Sequence, residues 1–500
     1  MRMDENKIIE AEIKTTPEQI AFIEAFCSGT PCFLSARAGT GKTTTIRLAF
    51  EEARRRGIPS SSLSAVAFNK ANQEDLARAL GTGIKVSTIH SLGFQALRNF
   101  LGKVEINNSK LFEITKLQGL KRKSFSDTMR LVSTAKNWGI LPLKEKALKF
   151  SLLEDIPENW KFLQDYYELF EADINVARNI LIESNKDALY HSQIDFDDMV
   201  YLPVVLDLKI FGTDFMVVDE AQDLSPLNLR LLSKSPSRIS YVGDPFQCIY
   251  TWRGAKEDTV ETLSLPILPL TESFRCSGNI IKEAQKYVPD IRTGNEEGLP
   301  VVRYYHLPDF SERSPATILS RWNAQLISFA LQLRGLHKQV YVLGRDLAKT
   351  LKEILENLKG TNSEALRMSL LSWRGKMIDK YPHKENEIED LFRCLFVLLS
   401  EVSGKKEVEK LLDSLFTNSP SENAWTLSTI HRAKGKEWDI VYLLDWVPKN
   451  LHQPWQRQED RNLRYVGVTR AKKQLFILDE TAQKLAENKE GTLEEFLKST

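Results

Sequence analysis

Between Cys32 and Thr43 the chain reads Cys-Phe-Leu-Ser-Ala-Arg-Ala-Gly-Thr-Gly-Lys-Thr, an order that can hold a phosphate. A short apolar run enters a glycine-rich turn, and a helical pattern from Thr44 to Ala53 follows. The turn Ala36, Arg37, Ala38, Gly39, Thr40 and Gly41 lets backbone N–H groups curl round β- and γ-phosphates, and the helix start adds its positive end. Lys42 then reaches the β/γ-phosphates and the Thr43 hydroxyl holds Mg²⁺. Ala36 stands where this pattern usually opens with Gly. A chance Lys-Thr after a glycine-rich turn is the bland alternative; the strand-before, helix-after context speaks against it.

A second pattern of chemical groups lies at Phe215-Met216-Val217-Val218-Asp219-Glu220-Ala221-Gln222-Asp223. A buried apolar strand here delivers two adjacent carboxylates at its end. Asp219 can hold Mg²⁺ and Glu220 can polarise an attacking water; a solvated turn is the alternative. The next strand, Arg238 to Val242, ends in Gly243-Asp244-Pro245-Phe246-Gln247, which places Gln247 to sense a γ-phosphate or water. Just beyond lie Tyr250, Trp252 and Arg253. Aromatics spaced by two beside a cation suit stacking on exposed bases, with core packing the alternative for one ring. Upstream, the Gln19 amide can read an adenine edge or simply sit exposed on its helix.

The elements that must position these groups alternate. Strand patterns at Leu63–Phe68, Ile84–Ser87 and Phe215–Val218 are separated by helical ones, which predicts a parallel α/β sheet. Ligands in such sheets sit at the strand C-terminal ends, where the polar clusters fall. Residues 102–192 are helical in period, rich in Lys, Glu and Leu, and read as an insertion. It carries Lys121-Arg122-Lys123 and the segment Ala135-Lys136-Asn137-Trp138; a basic run beside an aromatic suits a nucleic-acid strand, with a solvated helix face the commoner explanation of Lys-Arg-Lys. A second α/β block begins near Leu265, is interrupted by a smaller helical stretch over 347–420, and resumes through Ile440–Leu444, a helix Glu459–Ala471 and a strand Gln474–Leu478.

Bulk properties bound the reading. The 500 residues allow several domains, and 42% hydrophobic with 27% charged residues is ordinary for folded protein. No apolar run is long enough for a membrane span, and Met1 to Thr16 lacks an apolar signal core. Five cysteines without a CxxC pair argue for a reducing compartment rather than a zinc or disulfide framework. A net charge of +1 means that any nucleic-acid surface is local.

In this order the motifs resemble the UvrD/Rep/PcrA family of superfamily 1 DNA helicases over most of the chain. The matching segments are Gln19, Ala36–Thr43, Ala67–Lys70, Thr88–Ser91, Asp195–Asp198, Val218–Asp223, Val242–Ala255, Leu270–Arg275, Thr429–Glu437 and Tyr465–Ala471. The resemblance implies two RecA-like parallel-sheet domains, 1–101 with 193–264 and 265–346 with 421–500. It also implies helical insertions over 102–192 and, unusually short, over 347–420. It implies ATP and Mg²⁺ as cofactors, Phe274 (for the usual Tyr) on adenine, Glu437 on the ribose, and Arg275 and Arg470 as arginine fingers. Strand contacts are implied for Phe68, Asn69, His90, Thr429 and His431. Thr44 stands where many members carry Arg. The implied activity is 3′ to 5′ translocation on single-stranded DNA with duplex unwinding, by a monomer acting at strand–duplex junctions. The short second insertion fits a translocase that clears proteins without processive unwinding, and an ATP-gated scaffold is a further alternative. The implied location is bacterial cytoplasm, or the nucleus of a eukaryote.

Overall fold

The computed structural model describes residues 15–120, 122–142, 150–249, 261–380, 385–416, 423–445 and 454–479. Its first sheet is six-stranded, in the order Lys85–Thr88, Leu63–Ala67, Phe215–Val218, Arg238–Gly243, Phe33–Ala36, Ile267–Leu270. Every neighbouring pair is parallel. Phe33–Ala36 and Phe215–Val218 are buried throughout, as parallel strands covered on both faces must be. Alternation sorts their side chains between two cores. Leu34 and Val217 join Phe22, Phe26 and Phe50 on one face. Phe33 and Val218 join Leu92 and Tyr201 on the other.

The second core continues without a break into the first insertion, whose Trp160, Leu163 and Leu181 belong to the same apolar cluster as Val218. The insertion's helices Lys110–Lys116 and Arg122–Asn137 are also pinned by a buried ion network. Lys110 Nζ lies 2.8 Å from Asp198 Oδ2, and Lys136 Nζ lies 2.6 Å from Asp195 Oδ2 and 2.8 Å from Asp198 Oδ1. Lys136 is 0% exposed. This corrects the reading of its segment as a basic surface: the ammonium is spent on carboxylates of the re-entering chain. Lys121 lies outside the described residues.

The second sheet is also parallel, in the order Val302–Tyr304, Ala471–Leu478, Trp438–Leu444, Thr317–Ser320, Trp425–Thr429, Val340–Val342. The second insertion, helices Ser363–Lys380, Glu385–Glu401 and Lys405–Leu415, packs Phe392 and Leu412 into one cluster with Val342 and Leu427. Asp390 fastens it further, accepting from the backbone N–H of Asn323 at 3.1 Å and of Ala324 at 2.8 Å, at the start of helix Asn323–Gly335.

Two expected boundaries move. Ile267–Leu270 pairs with Phe33–Ala36, so the first sheet extends past the expected division at 264/265. The late helix runs Pro454–Val468, and Ala471 already opens the last strand. Between them Thr469 and Arg470 form a turn that places both at the junction of the two blocks.

Candidate nucleotide and strand site

The loop after Phe33–Ala36 is shaped by two glycines with left-handed backbone, Gly39 at φ +75° and Gly41 at φ +81°. A Cβ on Gly39 would sit 2.5 Å from Arg275 Cβ, so the loop can lie against the segment carrying Arg275 only without a side chain there. Ala36 is the last strand residue and fully buried. Thr40 is buried too, its hydroxyl donating to the Arg37 carbonyl at 2.8 Å. Helix Lys42–Arg55 starts directly after Gly41, leaving its first N–H groups without intrahelical acceptors. Thr43 is exposed and Thr44 half-buried on its first turn.

Two loop residues do something other than expected. The Arg37 side chain forks onto Asp290 at 2.8 and 2.6 Å, tying the loop to the second block. The Ala38 N–H, expected to face phosphate, donates to the Tyr465 hydroxyl at 2.9 Å. That hydroxyl donates in turn to Asp244 Oδ2 at 3.2 Å. Gln19 is buried beneath the loop: its carbonyl caps its own helix by accepting from the Thr16 N–H at 3.0 Å, and its amide donates to Thr45 Oγ1 at 3.2 Å. Phe274 is 50% exposed, and its N–H donates to the Gly39 carbonyl at 2.9 Å.

Asp219 and Glu220 stand at the end of Phe215–Val218. Glu220 has φ +53°, a strained backbone for a residue with a side chain. Its carboxylate meets Lys42 Nζ at 3.4 Å from one side and Lys434 Nζ, from the second block, at 3.7 Å from the other. Lys434 also holds Asp223 Oδ2 at 2.6 Å and donates to the Gln247 carbonyl at 3.0 Å. Burial and the neighbouring Glu220 charge push Asp219 up to about 6. Burial also acts against ionised Glu220, but Lys42 and Lys434 outweigh it and hold this carboxyl below its usual range.

Arg470 is buried and, among the described residues, has no ion pair. Its guanidinium donates to the carbonyls of Val466 at 3.0 Å and Lys436 at 3.2 Å, and points Nη2 at Gln247 Oε1, 3.5 Å away. Burial, then the nearby Arg275, pull its pKa down to about 9. Arg275 is held by Glu437 at 2.5 Å. Gln247 is fixed by donating to Asp244 Oδ2 at 2.7 Å. Cations from both blocks thus meet these carboxylates: Lys42 and Lys434 flank Glu220, Lys434 also pairs with Asp223 and Arg275 with Glu437, while Arg470 alone of the four has no carboxylate at contact distance among the described residues.

The strand-facing residues divide. Asn69 is exposed and caps helix Lys70–Leu80. Phe68 is half-buried, and His90 stacks on Phe196 at 4.0 Å between centroids, 23° apart. These three rings line a groove of about 270 Å³ whose other wall is the first insertion. Thr429 is buried, its hydroxyl accepting from the Arg432 N–H as a helix cap, so it is a positioning group rather than a surface one. His431 is half-buried and kept neutral, its pKa lowered to about 4 by burial and then by Arg321, so it offers no charge to a phosphate. Its folded value lies below the ordinary 6.5, so its stabilisation is present above pH 6.5 and lost as pH falls through about 4. Acidification across that window is expected to lower the urea midpoint more for the parent than for His431→Gln; equal falls would show that the ring is not linked to folding. Tyr250, Trp252 and Arg253 lie outside the described residues.

Lys434, Tyr465, Asp244 and Asp290 are the participants that motif reading left without a role. Lys434 and Tyr465 lie inside recognised segments; nothing local marks Asp290.

A model of the UvrD/REP helicase N-terminal domain matches residues 15–265, and one of the UvrD-like helicase C-terminal domain matches residues 216–481. F-box DNA helicase protein 1 of Schizosaccharomyces pombe is 26% identical over 96% of this chain and 58% of its own length. ATP-dependent DNA helicase Rep of Escherichia coli is 29% identical over 54% of this chain and 43% of its own. ATP-dependent DNA helicase PcrA of Bacillus subtilis is 23% identical over 89% and 80%. The chain therefore spans about half the length of the first two of these relatives. A solved arterivirus nonstructural protein 10 helicase with DNA superposes at TM-score 0.35 and 12% identity over 94% of this chain and 66% of that one, too loosely to bear on fold or function.

Proposed function

Because the chain belongs to the UvrD-like helicase family, we propose that it is an ATP-driven motor moving 3′ to 5′ on single-stranded DNA and parting duplexes at strand–duplex junctions. The observation that carries this is the convergence of Lys42 from the first block and Lys434 from the second on Glu220, with Arg470 and Arg275 of the second block close by. Such a cluster suits a triphosphate, whose oxygens would take these cations over from the carboxylates that hold them. Lys42 leaves Glu220 for the β/γ-phosphates, freeing Glu220 to polarise the attacking water, with Gln247 orienting it. Arg275 and Arg470 neutralise charge that develops in the transition state. Glu437 turns from Arg275 to the ribose, while Gln19 and Phe274 flank the base. The hard oxygen donors of Thr43 and Asp219 fit Mg²⁺ and would hold it. That ion would supply further neutralisation of the phosphates.

Both arginines come from the far block, so hydrolysis requires the blocks to be together, and their cycle of approach moves strand-binding surfaces. Phosphate release with and without single-stranded DNA, beside strand displacement on 3′- and 5′-tailed duplexes, tests the reading. Release stimulated by the strand and displacement from the 3′ tail are expected; displacement only from the 5′ tail refutes the polarity. Lys42→Ala is expected to abolish strand-stimulated release while retaining strand affinity, and near-normal turnover in that variant would refute its assignment.

A second reading has its own support. The second insertion shares its core with the second sheet, which ties it to that block. A translocase that displaces proteins without processive unwinding fits this. Normal translocation with failed forked-duplex unwinding would favour it.

A further inference from the structure

Helix Arg122–Asn137 buries Leu131, Val132 and Ala135 in the core. A different stripe, Arg130, Ser133, Thr134 and Asn137, follows the i, i+3, i+4, i+7 spacing of one helix face. Together with Trp138 just beyond, it lines the groove opposite Phe68, His90 and Phe196. The insertion is thus one of the two walls of that groove.

Arg130 is the distinctive member. It is half-buried, yet it makes no hydrogen bond or ion pair among the described residues. A guanidinium presents five donors and no acceptor, and losing water without gaining partners is costly. Burial accordingly lowers its pKa, with Glu387 and Asp127 acting on it only through space. The acids that line the groove are already engaged. Asp223 is held by Lys434 at 2.6 Å, and Asp197 accepts from Ser133 at 2.5 Å. Among the described residues that line the groove, Arg130 is therefore the cation left for a ligand. The rings of both walls are fixed: beside Arg130, Trp138 Nε1 donates to the Tyr167 hydroxyl at 3.0 Å, and across the groove His90 is stacked on Phe196. Flat rings on one hand and a forked cation on the other complement a base and its phosphate.

We propose that this groove seats a nucleotide of the bound strand, with Arg130 of the helical insertion as the ligand of its phosphate. The inference rests on the strand-motor reading and extends it, since it makes the insertion part of the track.

The test is equilibrium binding of a fluorescent oligo-dT by the full chain at several salt concentrations. Arg130→Gln is expected to weaken binding roughly tenfold at low salt and to flatten the plot of log K against log salt by roughly 0.7. Arg130→Lys keeps a cation, so it is expected to restore the slope and only part of the affinity. A merely structural arginine would leave the slope the same in all three proteins. A parent chain that binds the strand beside an Arg130→Gln chain of equal affinity and slope overturns this inference alone. A parent chain that ignores the strand overturns the motor reading and this inference with it.

Discussion

Arg470→Ala is expected to lower strand-stimulated ATP turnover by about 10³- to 10⁵-fold, the range of an arginine that stabilises a transferring phosphoryl group. The side chain is buried, lacks a carboxylate partner, and lies near a second arginine that depresses its pKa. Holding it there unliganded is unfavourable, and a γ-phosphate would relieve both the desolvation and the repulsion. Its guanidinium is oriented by the carbonyls of Val466 and Lys436 and faces Gln247. Lysine cannot reproduce that fork, so Arg470→Lys is expected to remain severely impaired. Single-turnover phosphate release at saturating oligo-dT is the measurement. A variant within a few-fold of the parent would remove Arg470 from the reaction and leave it as a turn-stabilising residue.

Asp198→Ala is expected to cost about 3–5 kcal/mol of stability, the penalty for leaving a buried charge without its partner. Asp198 is fully buried and contacts both Lys110 and Lys136, themselves almost without exposure. Its removal leaves two ammonium groups for Asp195 alone. It also deletes the acceptor for the Asp195 N–H, at 3.0 Å. Adding Lys110→Met rebalances the charge, so the double variant is expected to recover part of the loss, a coupling that independent sites would not show. Urea unfolding of the four proteins of this cycle decides. Additive losses would mean that water reaches the network and that it is not sealed.

The phosphate loop and the acidic strand end were legible because their chemistry is contiguous: a few neighbouring residues carry both the conformation and the reactive groups. Lys136 was misread because its environment is set by carboxylates about sixty residues later, so its own neighbours describe a surface helix. Ile267–Leu270 gave no strand signal because Pro269 interrupts it; as the outermost strand of its sheet it tolerates the missing N–H. Thr429 was offered to the strand by the resemblance alone, which does not encode that its hydroxyl caps the helix that follows. The Ala38–Tyr465 and Arg37–Asp290 contacts join residues hundreds of positions apart, and no local pattern encodes them.

Those contacts share a character with Glu18–Arg292 and Asp223–Lys434: much of the seam between the two halves is fastened by charges and hydroxyls. Groups of this kind can regain water when parted, while Ala38, Ile249 and Phe246 of the first half join an apolar cluster of the second, so the seam is part polar and part apolar. Added electrolyte, which screens such fasteners, should ease the parting far more than it disturbs the interiors.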